Sequence, residues 1–112
     1  MKYIITESKL EDVAIKYLDK FYGDLEEITN EDWPGMLFFV KDKKIYMDIS
    51  MNQNYLHIDY DTIWSELETI FFLDDDTIKL VINKWVDKSF NLANTKPRIR
   101  PYKFNYETFF QN

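Results

Sequence analysis

The chain has no cysteine, two glycines and a single histidine among 112 residues. Each scarcity excludes something. Without cysteine there is no disulfide and no thiolate metal centre. Glycines only at positions 23 and 35 leave no room for a dinucleotide-binding or phosphate-binding glycine loop. With His57 alone, Ser8, Ser50, Ser65 and Ser89 share one imidazole between them, and none sits in a nucleophile-elbow context. Long hydrophobic runs are also missing: the longest, residues 36–40 and 70–73, fall far short of the roughly 18 residues of a membrane span. Residues 1–7 lack the apolar stretch of a secretion signal. The composition predicts a soluble, cytoplasmic protein with no catalytic residue, no metal site, no cofactor and no membrane contact.

What is abundant is aromatic: nine Phe, eight Tyr and three Trp. Rings of this size bury roughly 150–250 Å² each, so half of them suffice for the core of one small domain. Part of the abundance reflects coding, because residues with AT-rich codons (Phe, Tyr, Met, Ile, Asn, Lys) far outnumber Gly, Ala, Arg and Pro. Charge is unevenly placed. Residues 1–76 carry eighteen Asp and Glu against seven Lys, whereas residues 77–112 carry seven Lys and Arg against two acids. A basic end on an acidic body either folds back onto it or reaches an acidic partner.

Periodicity divides the chain. Ser8 and Glu11 form a capping box at the start of a helix over residues 8–22, with Leu10, Val13, Ala14, Tyr17, Leu18 and Phe21 on one face and Gly23 as a left-handed stop. Residues 24–35 read as an acidic connector ending in Trp33-Pro34-Gly35. Three strands follow, over residues 36–40, 45–50 and 55–58, separated by turns at Asp42-Lys43 and Asn52-Gln53-Asn54. A second helix is predicted over 60–72, capped by Asp59 or Asp61, with Ile63, Leu67, Ile70 and Phe71 as its buried stripe and Trp64 beside it. A third begins at Asp74, with Leu73 and Ile78 as a hydrophobic staple and Ile78, Val81, Ile82, Trp85, Val86 and Phe90 facing the core. The expectation is one α+β domain in the order α-β-β-β-α-α: a three-stranded antiparallel meander with three helices. Residues 95–112 are expected to form an extended basic and aromatic tail, with strand character near 99–106.

Strict alternation in the second strand places Ile45, Met47 and Ile49 on one face and Tyr46 and Asp48 on the other. Tyr55 and His57 oppose Leu56 and Ile58 in the same way, so Tyr46, Asp48, Tyr55 and His57 form a candidate contact patch on the outer sheet face. The tail supplies a second candidate surface, Arg98, Arg100, Tyr102, Phe104 and Tyr106. His57, Asp59 and Asp61 alternate as metal ligands on a strand would, but an aspartate is also wanted there as a helix cap. Asp74, Asp75 and Asp76 have no calcium-loop context and read as capping residues. Lys96, Arg98, Arg100 and Lys103 are the one compact basic set, and nucleic acid is disfavoured as a partner because the third helix opens with three aspartates.

Residues 1–7 (Met-Lys-Tyr-Ile-Ile-Thr-Glu), Trp64-Ser65-Glu66-Leu67, Lys84-Trp85-Val86, Phe90-Asn91-Leu92 and Arg98-Ile99-Arg100 resemble elements of small uncharacterised proteins of tailed phages and marine viral metagenomes. The resemblance implies a phage-like source, and hence a host-cell cytoplasm, but no activity and no functional residue. The leading functional expectation is a non-enzymatic module that contacts a protein partner or a second copy of itself. Two alternatives stand beside it: an acidic decoy for a nucleic-acid-binding enzyme, and a small-molecule or metal site around Tyr46, Asp48 and His57.

Overall fold

The computed structural model describes residues 7–50, 54–90 and 97–104, with side chains in the first helix from Lys9 onward. The chain is an α+β protein. Helix α1 (Glu7–Tyr22) precedes β1 (Glu26–Ile28), β2 (Met36–Lys41), β3 (Lys44–Ser50) and β4 (Tyr55–Asp59). A π-helical turn (Tyr60–Trp64), α2 (Ser65–Ile70), α3 (Asp75–Phe90) and β5 (Arg98–Tyr102) complete it. The strands form one sheet in the order β1-β2-β3-β4-β5. The first three pairings are antiparallel and β4–β5 is parallel.

The predicted meander is therefore the centre of a larger, mixed sheet. β1 lies inside the expected connector; its Glu-Glu-Ile has no apolar period and pairs because β2 offers it a hydrogen-bonding edge. β5 lies inside the expected tail. Two arginines and Pro101 disguise it as coil, but an edge strand tolerates both. Its parallel alignment needs a crossover, which α2 and α3 provide. The Arg98 N–H donates to the Asn54 carbonyl at 2.9 Å, where the pairing starts.

The main core lies between the helices and one sheet face: Ala14, Leu18, Ile78, Val81, Ile82 and Trp85 meet Phe39, Met47, Ile49, Leu56, Ile58 and Ile99. α3 buries the predicted stripe, with Phe90 packed partly against it. Its cap is as expected, the Thr77 N–H donating to Asp74 Oδ1 at 2.8 Å. That bond holds the Asp74 carboxyl below its ordinary range.

The α1 face is rotated from the prediction. Val13 and Phe21 are half exposed, while Glu11 and Tyr22 are buried. Partners on other elements explain this: Glu11 Oε2 takes Lys84 Nζ of α3 at 3.1 Å, and Tyr22 donates its hydroxyl to Glu66 of α2 at 2.7 Å. The Ser8 side chain of the capping box lies outside the described residues. Gly23 is not a left-handed stop, since Gly35 alone among the described glycines has positive φ, at 80°. Gly23 is needed for space: a Cβ there would lie 2.3 Å from the Asp19 carbonyl oxygen.

The second helix divides. The wide turn at Tyr60–Trp64 changes the helical phase, so Trp64 and Leu67 are buried while Ile70 is half exposed. Asp59 makes no side-chain cap to the backbone; its Oδ2 accepts from Thr62 Oγ1 at 2.7 Å.

Asp42 and Lys43 join β2 to β3 with φ of 52° and 61°, the geometry of a two-residue hairpin turn. A left-handed conformation costs a residue with a Cβ about 1 kcal/mol or more. Lys43→Gly is expected to raise the unfolding free energy by about 1 kcal/mol in urea denaturation. A lower value would show that the lysine side chain holds the turn.

Candidate functional site

Register, not sequence proximity, assembles the candidate site. Asp48 of β3 pairs with His57 of β4, and His57 pairs with Arg100 of β5; Ser50, Tyr55 and Arg98 form the next rung. Residues directly across a sheet share a face. Met47, Ile49, Leu56, Ile58 and Ile99 face the helices, so Asp48, Tyr55, His57, Arg98 and Arg100 face the other way. Apart from Tyr46 and Tyr106, the residues of the two candidate surfaces read from the sequence share one surface.

His57 is its centre. Its Nδ1 lies 2.8 Å from Asp48 Oδ1, and the Asp48 side chain is buried. Burial pushes the Asp48 carboxyl above its ordinary range, with the His57 charge and hydrogen bond acting against that rise. The imidazole lies almost parallel to the Tyr55 ring (centroids 6.4 Å apart, 5° between planes) and stacks against Tyr102 at 4.8 Å and 29°. Tyr102 meets Phe104 edge-on at 4.9 Å, and Phe104 packs against Phe38, Val40 and Ile45. The Arg100 guanidinium sits 4.4 Å from the Tyr55 ring centre, and that of Arg98 5.9 Å from it. Both arginines and Tyr102 are exposed.

Tyr46 is not part of this surface. Phe39 pairs with Met47 but Val40 with Ile45, so Tyr46 is an extra residue in β3, a bulge. A bulge reverses alternation beyond it. Ile45 consequently joins Phe38 and Val40 on the outer face, and Tyr46 turns to the helix side, its ring centre 5.3 Å from that of Tyr22. Tyr106 lies outside the described residues. The run His57, Asp59, Asp61 does not assemble a metal site either: the π-helical turn ends its alternation, and no cluster of three metal-ligating side chains is present among the described residues.

Sequence reasoning missed Tyr60 and undervalued Lys103. The Lys103 ammonium lies 5.6 Å from the Tyr60 ring centre, and these two residues, with Pro101 and Tyr102, line a shallow pocket of about 290 Å³. No sequence signal marks Tyr60, because its position depends on the π-helical turn.

No family model, curated protein or solved structure matches the chain. Geometry alone bears on function. The arrangement offers exposed guanidinium groups, tyrosine rings and a histidine held by a buried carboxylate. No described helix is long and apolar enough to cross a membrane.

Proposed function

We propose that the chain is a non-enzymatic protein-interaction module whose contact surface is the outer face of β3, β4 and β5, and that its partner is an acidic protein surface. One observation carries the reading: Tyr55, His57 and Tyr102 stack in register while Arg98 and Arg100 sit over Tyr55. Tyrosine and arginine supply much of the energy of protein interfaces. Here the rings and guanidinium groups are ordered by their own contacts, so less side-chain entropy is lost on binding. The rings pack against one another rather than lying flat and open, which favours a protein partner over stacked nucleic-acid bases. The exposed cations select for acidic groups and speed the encounter at low salt.

The test is cross-linked capture from cells that express the protein, comparing the unaltered chain with Arg98→Ala/Arg100→Ala. Proteins captured by the unaltered chain should be lost by the variant, and by the unaltered chain at high salt, with thermal melting unchanged. Identical capture by both chains would overturn the reading.

A further inference from the structure

The α2–α3 corner holds an aromatic ring in solvent. Phe72 is 87% exposed with φ of 55°, a conformation that bulky residues disfavour. The backbone thus carries strain to hold out a ring that contributes little to the core. Half-exposed Ile70 lies two residues before it, and after the buried Leu73 come Asp74, Asp75 and Asp76, all exposed. The corner is an apolar knob with an acidic collar.

The pocket at the end of β5 is its complement. Tyr60, Pro101 and Tyr102 give apolar walls, Lys103 gives a cation at the lining, and Arg98 and Arg100 precede them on the same strand. Its volume of about 290 Å³ admits a phenyl ring. Arg98 and Arg100 on the outer face and Lys103 at the pocket answer Asp75 and Asp76 beside Phe72, Asp74 being engaged in its helix cap. Copies of a chain with net charge −6 repel one another in most orientations, and this orientation sets opposite charges face to face.

We propose that the partner on the outer sheet face is a second copy of this chain, which inserts Phe72 into the pocket lined by Tyr60, Pro101, Tyr102 and Lys103. The proposal rests on the reading of that face as a contact surface and names its occupant. Nothing covalent is involved; the contact joins an aromatic anchor, a pocket and a ring of paired charges.

Sedimentation velocity over a concentration series, at low and high salt, tests it. The unaltered chain should self-associate, more weakly as salt rises. Phe72→Gly should weaken association by about thirtyfold, the size of a hot-spot loss, while the melting temperature stays level or rises because glycine accepts this φ. Asp75→Lys/Asp76→Lys and Arg100→Glu/Lys103→Glu should each be monomeric alone and associate when mixed. An unaltered chain that stays monomeric up to about 1 mM, or a Phe72→Gly variant that associates like it, overturns the proposal. If self-association is absent but Arg98- and Arg100-dependent capture of a different protein persists, the second-copy assignment fails and the contact-surface reading stands. If capture does not depend on those arginines either, both fail.

Discussion

Trp85→Ala is expected to lower the unfolding free energy by about 3–5 kcal/mol, a large share of the roughly 5–15 kcal/mol that holds a domain of this kind together. Trp85 is fully buried and meets Phe90 edge-on at 5.2 Å; Phe90 in turn meets Phe39 of β2 at 5.0 Å. The indole therefore links α3 to the sheet, and alanine would leave a cavity between two rigid layers. Trp85→Phe should be far milder. The indole Nε1 is buried without a hydrogen-bond partner among the described residues, and such a group costs about 1–3 kcal/mol. Removing it offsets much of the lost packing, so the net change should stay within about 1 kcal/mol. Urea midpoints for both variants check this. A Trp85→Phe loss well above about 1 kcal/mol would show that the indole N–H is satisfied in solution.

Stability is expected to fall steeply as pH rises above about 10. Tyr17 and Tyr22 both donate to Glu66 Oε1, at 2.6 and 2.7 Å. Burial first, then the hydrogen bond to Glu66 and its charge, push Tyr17 up to about 12 and Tyr22 further still. In the unfolded chain both titrate near 10. Between those values the folded state keeps protons that the unfolded state has released, so the stabilisation is complete below pH 10 and declines as pH rises. Each retained proton contributes a slope of about 1.4 kcal/mol per pH unit. Tyr22, which is buried, should show most of this; Tyr17 is nearer solvent and its share is screened. Denaturation from about pH 9 to about pH 12 should give a shallower slope for Tyr22→Phe and, to a smaller degree, for Glu66→Gln, where burial remains. A slope unchanged in Tyr22→Phe would place the titrating group elsewhere.

The same cluster shows where sequence reading stops. Tyr17 falls on the predicted apolar face of α1, and nothing in the chain pairs it with a glutamate forty-nine residues away. Glu11 reads as a capping-box residue and Tyr22 falls off the predicted apolar face, yet both are buried because α3 and α2 bring Lys84 and Glu66 to them. Phe72 reads as the end of a helix, whereas α2 stops at Ile70 and a φ of 55° leaves the ring in water. Bulges and wide turns insert one residue into a period, and a period read from one chain cannot show where the insertion falls.

For the candidate site the division is sharp. Alternation in β3 and β4 placed Asp48, Tyr55 and His57 together, and composition singled out Arg98, Arg100, Tyr102 and Phe104 as a second group. Tyr46 was misplaced by the bulge. That the two groups form one surface follows from the parallel pairing of β5 with β4. The buried face of α3, its Asp74 cap, the Asp42-Lys43 turn and the alternation of β4 depend on neighbours a few residues apart, so the amino-acid order alone determined them. The fifth strand, its register and the knob and pocket it completes depend on hydrogen bonds between distant segments. These only the tertiary structure decided, because a strand with charged and proline residues is selected by the edge that receives it.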